Sequence, residues 1–282
     1  MSPNNRPARQ RQTLSVFRRR ATLRRSFGLL SDFKYEQTRP DIFYGHLAED
    51  TVGLIRDIYA GVRGAGQDSG QEARQTEDQS EPLRGTKILD VGGGPGYFGV
   101  AFDKAGADYY TCEPDVGEMA AAGIKLQTSV RGSGLDLPFL SDAFDITYSS
   151  NVAEHVPDPW RMADEMLRVT KPGGVMIYSY TVWLGPFGGH ETGLWQHYVG
   201  GEFAARRYEK KKGKPPKNRW GESLFNVSAA AGLEYARKVH GESAELVAAF
   251  PRYHPWWAWW MVRVPRLREF AVSNLVLVFQ KR

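Results

Sequence analysis

Hydrophobic and polar positions along this 282-residue chain follow two different periods, and together they predict an α/β fold. Short runs of β-branched and aromatic residues bounded by turn residues predict strands. Between them, apolar residues recur every three or four positions, which predicts helices. The predicted strands are 87–91, 108–112, 124–130, 143–149, 175–180, 233–239 and 274–280. Because helical segments separate most of these strands, the pattern predicts a mostly parallel sheet covered on both faces.

The first 85 residues lack strands and divide into three predicted parts. Residues 1–31 form a basic flexible tail that continues into an amphipathic helix, whose apolar positions lie between arginines: Leu14, Phe17, Leu23, Phe27, Leu29 and Leu30. Residues 32–60 form a helical segment, with a helix starting near Arg39–Pro40. Residues 61–85 are rich in Gly, Gln, Ser and acidic residues and predict a flexible linker.

Residues 86–282 form the predicted core domain. The strand pattern lapses between 182 and 232, which predicts a cap inserted after the fifth strand. Residues 228–231 are predicted to end a helix, and 233–239 to form the sixth strand. Residues 250–271 are rich in tryptophan and arginine, with Trp256, Trp257, Trp259 and Trp260 within five positions.

Residues 87–99, with the sequence KILDVGGGPGYFG, join the first strand to a helix through a glycine-rich turn. Such a turn brings backbone N–H groups close to a nucleotide-like ligand. The letters GPGYFG fit a dinucleotide-binding loop, which is a weak signal by itself. The overlapping spacing of Asp90, Gly92, Gly94 and Gly96 fits a second cofactor class, so this stretch leaves both cofactors open.

Three later segments distinguish the two cofactors. Residues 136–145 read DLPFLSDAFD, residues 150–159 read SNVAEHVPDP, and residues 165–174 read EMLRVTKPGG. With the glycine turn, in this order, they resemble the class I S-adenosylmethionine-dependent methyltransferases, especially the type-11 domains grouped with ubiquinone-biosynthesis C-methyltransferases. Thr170 replaces a leucine of that pattern. The resemblance covers residues 86–181, about a third of the chain, and indicates the cofactor more strongly than the acceptor.

The resemblance implies a Rossmann-like, doubly wound sheet of seven strands with an antiparallel last strand, and S-adenosylmethionine as cofactor. It implies that the glycine turn approaches the methionine portion and that Glu113, at the end of the second strand, binds the ribose hydroxyls. It also implies that Asp136 binds the adenine amino group and that its neighbour supplies a backbone contact. The expected cofactor site comprises Asp90, Gly92, Gly94, Gly96, Glu113, Pro114, Asp136, Leu137 and Asn151.

Three histidines and one acid are the candidates for chemistry on the acceptor side. A sulfonium methyl group is already electrophilic, so alignment of the nucleophile and exclusion of water come first, and a general base adds rate for an oxygen or nitrogen acceptor. His155 is the predicted base, or else it orders its loop through a backbone hydrogen bond. His190, Glu191 and His197 are predicted to contact substrate or to pack the cap. The spacing of His190 and His197 matches no standard ligand motif, so no metal is predicted.

Composition limits the setting in which the protein works. The single cysteine, Cys112, excludes a disulfide framework, and we expect a reducing, cytoplasmic location with neither a secretory signal nor a transmembrane helix. The net charge of +5 is concentrated in residues 1–26, which carry eight arginines and no acid. The remaining 29 basic and 32 acidic residues give −3. The tail either contacts an anionic surface or is a solvated arm.

The predicted function is therefore S-adenosylmethionine-dependent methylation of a small or lipid-linked acceptor. A hydroxyl oxygen is the expected position, and the family resemblance also leaves nitrogen and carbon methylation open. One alternative is a nucleic-acid methyltransferase, motivated by the basic tail and Lys210–Lys217. It is opposed by the lack of a recognisable RNA-binding module and of an Asn-Pro-Pro-Tyr motif, so nucleic acid is not the expected partner. A non-catalytic cofactor-binding protein also stays open.

The tryptophan segment adds a prediction about location. Tryptophan and arginine together favour the headgroup layer of a membrane, so we expect peripheral contact with an anionic membrane at the cytoplasmic face. Pro255 and Pro265 limit any helix between them to two or three turns, too short to span a bilayer. The alternative is that these tryptophans roof the substrate pocket or fill the core.

Overall fold

The computed structural model describes residues 18–35, 38–64, 81–120, 122–124 and 126–282. The predicted flexible tail, the first apolar positions of the amphipathic helix and most of the predicted linker lie outside these residues.

The described residues form one mixed sheet of seven strands in the order β3-β2-β1-β4-β5-β7-β6. Neighbours from β3 to β5 are parallel, and β7 is antiparallel to both β5 and β6. The predicted α/β class and antiparallel last strand are confirmed. The strands are β1 (Lys87–Val91), β2 (Asp108–Glu113), β3 (Ser129–Arg131), β4 (Phe144–Ser150), β5 (Thr170–Thr181), β6 (Ala244–Pro251) and β7 (Asn274–Lys281).

Helices connect the strands and extend the chain at its start. Short 3₁₀ helices occupy Phe33–Tyr35, Ala153–His155, His190–Thr192 and Trp256–Arg263. The α-helices are α1 (Leu23–Asp32), α2 (Pro40–Gly64), α3 (Tyr97–Lys104), α4 (Val116–Ala120), α5 (Pro159–Val169), α6 (Gln196–Val199), α7 (Gly201–Lys212), α8 (Ala229–Val239) and α9 (Leu267–Ala271). No helix within the described ranges has both the length and the apolar character needed to cross a membrane.

Both faces of the sheet are covered by helices. On one face, Leu54, Ile55 and Ile58 of α2 and Phe102 of α3 pack in a cluster with Ile88 of β1. On the other face, residues of α5 and α8 pack against β1, β5 and β7. Burial on both faces explains why β1 carries the apolar residues Ile88, Leu89 and Val91 on both sides of the strand.

The strand order reverses at β1, because the chain leaves β1 for β2 and β3 and returns on the other side at β4. In such sheets the loops at this point diverge and leave a crevice at the carboxyl ends of the strands. β6 is parallel to β5, since both are antiparallel to β7. The same edge therefore carries the glycine turn, Glu113, residues 151–155 and Arg252.

Two predicted strands differ from the structure. The third is shorter, because only Ser129–Arg131 pairs with β2. Residues 233–239 belong to α8, so the prediction of a sixth strand there, and of a helix end at 228–231, is wrong. The Ser228 hydroxyl accepts a hydrogen bond from the Ala231 N–H at 3.0 Å and caps the start of this helix. Three consecutive alanines then favour helix, while β6 escapes prediction because it is itself rich in alanine.

The N-terminal helices belong to the helical layer of the core rather than to a separate unit. α2 continues to Gly64, so the linker predicted from residue 61 starts at least four residues later. Two of the predicted tail arginines are paired with α2: Arg25 binds both Asp50 oxygens at 2.6 and 2.7 Å, and Arg20 binds Asp57 at 2.8 Å. These arginines serve the fold and are not available to an external anionic surface.

Candidate functional site

The glycine turn after β1 is a cradle that only small residues can form. Gly92, Gly94 and Gly96 have φ angles of 86°, 54° and 90°, in the left-handed region that favours glycine. A Cβ at Gly92 would lie 2.4 Å from Val152, and one at Gly96 would lie 3.1 Å from Ile124. A Cβ at Gly94 would meet nothing within 4 Å. The turn is thus closed at both ends and open in the middle, which fits the approach of a cofactor to bare backbone.

The Asp90 side chain faces the protein interior next to this turn. Its carboxylate is buried and accepts hydrogen bonds from the hydroxyls of Tyr109, at 2.7 Å, and Tyr148. A side chain at Gly93 would collide with Thr111 and approach this cluster. Burial raises the pKa of Asp90 to about 7, against the hydrogen bonds from the two tyrosines. Asp90, predicted to contact the cofactor, is therefore a positioning residue for the turn.

Glu113 lies at the carboxyl end of β2, directly beside the turn. One carboxylate oxygen accepts a hydrogen bond from the Gly94 N–H at 3.3 Å, and the other from the Asp115 N–H at 3.1 Å. Pro114 follows it and is exposed at the same edge. An acid held here can bind vicinal hydroxyls through charge-assisted hydrogen bonds, the role expected for a ribose.

The adenine side differs from the prediction. The Leu137 N–H, expected to face the cofactor, donates instead to Glu165 of α5 at 2.8 Å, and the Leu137 side chain is buried. Asp136 is exposed one residue earlier. Because β3 ends at Arg131, the residues at its carboxyl end are Gly132, Ser133 and Gly134, which the sequence analysis did not select.

Ser133 and Gly134 could have been predicted as site residues from their position after the third strand. Ligands bind outside the carboxyl ends of parallel strands, and a polar residue between two glycines directly follows β3. Ser133 lies three residues before Asp136, the first residue of the DLPF motif.

The loop after β4 contacts the glycine turn and closes the crevice. Val152 is the residue that would collide with a side chain at Gly92. Asn151 precedes it with φ of 59° and accepts a hydrogen bond from the Asn274 side-chain amide at 2.6 Å. The Ser179 hydroxyl in turn donates to Asn274 at 2.7 Å. Asn151 is thus held by the start of β7, next to the residue that contacts the turn, and its contact with the cofactor stays a prediction.

Three side chains meet behind this loop: Glu154, His155 and His190 (the Glu–His–His cluster). One ligand atom from each lies within 4.8 Å of the others. The His155 Nδ1 atom lies 2.7 Å from the Ser223 carbonyl oxygen. Because a carbonyl can only accept, Nδ1 carries the proton and Nε2 keeps its lone pair. Glu154 is buried, and its Oε1 atom accepts from the Thr181 N–H at 3.1 Å.

His155 therefore fits both predicted roles at once. The hydrogen bond to Ser223 orders the loop, and the same bond directs the basic nitrogen away from it. Burial lowers the pKa of His190, which keeps this second imidazole neutral at physiological pH. Glu154 was not among the predicted site residues, although it is adjacent to His155 in the sequence.

The other two predicted acceptor-side residues are engaged in the structure of the cap. Glu191 accepts hydrogen bonds from the Asn218 backbone and side chain at 2.8 and 2.9 Å. His197 is buried against Trp183, and its Nε2 atom is 3.1 Å from the Gly185 carbonyl. The structure brings His190 to His155, with ring centroids 5.0 Å apart, and leaves Glu191 and His197 in the cap.

A buried arginine lies at the same edge of the sheet. Arg252 follows β6 and donates to the Ser150 hydroxyl at 2.6 Å and to the Thr51 hydroxyl at 2.5 Å. Its backbone carbonyl accepts from Arg25 at 3.0 Å. Arg252 lies within the predicted tryptophan- and arginine-rich segment, and these hydrogen bonds were not predicted for it. Like Ser133, Arg252 follows the carboxyl end of a strand, here β6, which is parallel to β5.

Comparisons with known proteins identify the family of the chain. A family model described as a methyltransferase domain matches residues 89–178. An uncharacterized methyltransferase of Mycobacterium marinum is 55% identical over 270 residues, covering 94% of this chain and 98% of the relative. One of Mycobacterium tuberculosis is 56% identical over 267 residues, covering 93% and 97%.

Among solved structures, an S-adenosylmethionine-dependent methyltransferase from Mesorhizobium loti matches with a TM-score of 0.48 and 19% identity, covering 71% of this chain and 92% of that one. The nearly full-length match to the mycobacterial relatives identifies the family and excludes the dinucleotide alternative for the glycine turn. The chain belongs to the class I methyltransferase family, whose methyl donor is S-adenosylmethionine.

Proposed function

We propose that this methyltransferase methylates a hydroxyl oxygen of a small or lipid-linked acceptor, with His155 receiving the hydroxyl proton. The observation that supports the proposal most directly is the hydrogen bond from His155 Nδ1 to the Ser223 carbonyl, which leaves Nε2 as a proton acceptor. Through Val152, the His155 loop packs on the glycine turn at Gly92.

The reaction is a single displacement. When bound, S-adenosylmethionine supplies an electrophilic methyl group whose sulfur leaves as a neutral thioether, while a new carbon–oxygen bond forms at the acceptor. His155 Nε2 takes the hydroxyl proton, and Glu154 lies close enough to stabilise the imidazolium that results. The chain's other contribution is alignment of the acceptor with the methyl group.

The experiment uses the full-length protein and S-adenosylmethionine labelled in its methyl group, incubated with organic and aqueous cell extracts. Mass spectrometry is expected to find the label in a methyl ether. His155→Ala is expected to lower label incorporation by about 10²–10⁴ while leaving cofactor affinity unchanged. His240→Ala, at the opposite edge of the sheet, is the matched control. Label on nitrogen or carbon would contradict the hydroxyl acceptor, and unchanged incorporation in His155→Ala would exclude this base.

An apolar groove beside the site supports a lipid-linked acceptor. The groove has a volume of about 270 Å³, and one wall contains Phe187, whose carbonyl accepts the His190 N–H at 3.0 Å. Phe33 stacks on Phe187 with ring centroids 5.5 Å apart. The groove is lined by Leu23, Ser26, Phe27, Leu30, Pro186, Phe187, Tyr253, His254, Pro255 and Ser273.

The outer rim of the groove is an apolar surface, which we name the rim surface. It consists of exposed Leu23, Phe27 and Leu30 of α1 and exposed Trp256, Trp257 and Trp260. The Trp256 N–H donates to the Ala21 carbonyl at 2.9 Å and joins the two parts. Trp259, in contrast, is buried against Phe250 with centroids 4.8 Å apart, so the core alternative holds for one of the four tryptophans.

Exposed arginines accompany the rim surface in sequence, at Arg18, Arg19, Arg24, Arg263 and Arg266. Apolar side chains with arginines are suited to an anionic membrane, where each basic residue adds about 1 kcal/mol near the surface. We propose peripheral contact of the rim surface with an anionic membrane at the cytoplasmic face, which would deliver a lipid-linked acceptor to the groove.

A further inference from the structure

The Glu–His–His cluster contains two buried polar atoms that no described residue satisfies. Glu154 Oε2 and His190 Nε2 are both inaccessible to solvent and lack a hydrogen-bond partner in the described part of the chain. Glu154 as a whole is 1% exposed. A buried carboxylate oxygen and a buried imidazole nitrogen without partners are costly, and a bound ion or water is one arrangement that satisfies such atoms in native structures.

The remaining atoms of the cluster are oriented as they are in metal sites. A metal-ligating histidine usually donates its other N–H to a backbone carbonyl, and His155 Nδ1 does so to Ser223. Glu154 Oε1 is held by the Thr181 N–H, whereas Oε2 accepts no hydrogen bond from the described residues. His190 adopts φ of 48°, one of four positive values outside glycine among the described residues. Strained backbone of this kind is found mainly where function requires it.

We propose that Glu154, His155 and His190 bind one divalent transition-metal ion of the zinc class on the acceptor side of the site. The prediction that no metal is bound was based on the group His190, Glu191 and His197, in which the spacing of the two histidines matches no standard ligand motif. The structure brings together a different set, in which Glu154 and His155 are adjacent in sequence and His190 comes from the cap.

The donor set and the space agree with this assignment. Two imidazole nitrogens and one carboxylate oxygen are the protein ligands of many catalytic zinc sites, which keep a further position open for water or substrate. Ligand atoms around one tetrahedral ion lie about 3.4 Å apart, so the three side chains, now within 4.8 Å, need to approach by no more than about 1.4 Å. The positive ion would also neutralise the buried Glu154 carboxylate.

We assign the ion the role of binding the acceptor hydroxyl at the open position and promoting its deprotonation. Only this role depends on the proposed function. The ion and a proton compete for the same lone pair of His155. With the ion bound, coordination would lower the pKa of the acceptor hydroxyl, and its proton would pass to solvent water; without the ion, the proton passes directly to His155 Nε2. Metal binding itself requires neither cofactor nor acceptor, so it is measured separately from methyl transfer.

The test uses the full-length protein without an affinity tag, stripped with a chelator and then dialysed against Zn²⁺ or Co²⁺. Elemental analysis is expected to give one ion per chain, and Co²⁺ is expected to show the visible absorption of a four- or five-coordinate site. Glu154→Gln keeps the shape of the side chain, and His190→Asn tolerates the left-handed backbone. Each is expected to weaken binding by more than about a hundredfold, beyond the 10–100-fold effect of outer-shell partners.

His240→Asn is the matched control and is expected to bind as the wild type does. Circular dichroism verifies that each variant is folded. Absence of stoichiometric binding by the wild type, or binding that both Glu154→Gln and His190→Asn leave unchanged, would overturn the metal site. Either result would leave the test of methyl transfer and of His155 intact.

Discussion

The ring of Tyr44 stacks on the ring of Tyr97, with centroids 5.4 Å apart and planes within 8° of parallel. Tyr97 is the first residue of α3, immediately after the glycine turn, whereas Tyr44 lies in the second turn of α2. The N-terminal helices therefore contact the segment that receives the cofactor. Phe33 makes the equivalent contact on the acceptor side through Phe187. Tyr44 and Phe33 thus contact segments on both sides of the proposed site.

Removal of this stacking pair is expected to weaken cofactor binding. A stacked aromatic pair contributes about 0.5–1.5 kcal/mol beyond its buried area, so Tyr44→Ala should raise the Kd for S-adenosylmethionine by about 2- to 12-fold. Tyr44→Phe keeps the ring and should bind as the wild type does. Titration calorimetry measures both. Equal affinity in Tyr44→Ala would show that the contact with Tyr97 does not reach the cofactor.

Glu113 is expected to contribute more, because it accepts a hydrogen bond from the Gly94 N–H of the turn and is predicted to bind the ribose. Hydrogen bonds to a charged group contribute about 1.5–3 kcal/mol, so Glu113→Ala should raise the Kd for S-adenosylmethionine by about 10- to 150-fold without unfolding the protein. Glu242→Ala, an exposed glutamate at the opposite edge, is the control. An unchanged Kd in Glu113→Ala would remove this residue from the site, and tight binding of NADH by the wild type would contradict the cofactor assignment.

Asp90 is expected to make stability depend on pH. Burial raises its pKa from the ordinary value of 3.8 to about 7, so the folded state retains a proton that the unfolded chain releases. The free energy of unfolding should therefore decrease as the pH rises from about 4 to about 7. The decrease has an upper bound on the order of 4 kcal/mol if the whole shift is expressed.

Asp90→Asn still accepts the tyrosine hydrogen bonds but cannot titrate. Its free energy of unfolding, measured by urea denaturation at several pH values, should lack this decrease. The exposed Asp103→Asn on α3 should follow the wild type. The same pH dependence in Asp90→Asn and wild type would assign it to other groups.

The rim surface is expected to bind anionic vesicles. Full-length protein should co-sediment with vesicles of phosphatidylglycerol and phosphatidylcholine at physiological salt, and less with phosphatidylcholine alone. Replacing Phe27 and Trp257, which are 66% and 57% exposed, with serine should reduce the bound fraction several-fold. Leu140→Ser removes an apolar side chain that is 85% exposed elsewhere and is the control. If the wild type stays in the supernatant, the acceptor should be sought among soluble metabolites.

The cofactor half could largely be predicted from sequence because its determinants are local. The strand, glycine turn and helix between 87 and 104 are contiguous, and the backbone conformation at Gly92, Gly94 and Gly96 leaves few alternatives. The acceptor half could not be predicted in this way. His190 and Ser223 meet His155 only because the cap folds back on the loop after β4, and no spacing along the chain encodes that contact. Asp90 and Leu137 lie in recognisable motifs, but their hydrogen-bond partners could not be predicted. A motif identifies a residue but not the direction of its hydrogen bonds.

Arg252 has a consequence for the order in which the molecule assembles. Its hydrogen bonds join residues 102, 201 and 227 positions away, whereas β1, the glycine turn and β2 lie within 27 residues of one another. Contacts over such separations close large loops and form late in folding. The segment from β1 to β2 can condense on its own early, whereas the contacts that join α1, α2 and β4 to Arg252 form only after residue 252 has docked. In native-state hydrogen exchange, the amides around Ser150, Thr51 and Arg252 should accordingly open before those of β1.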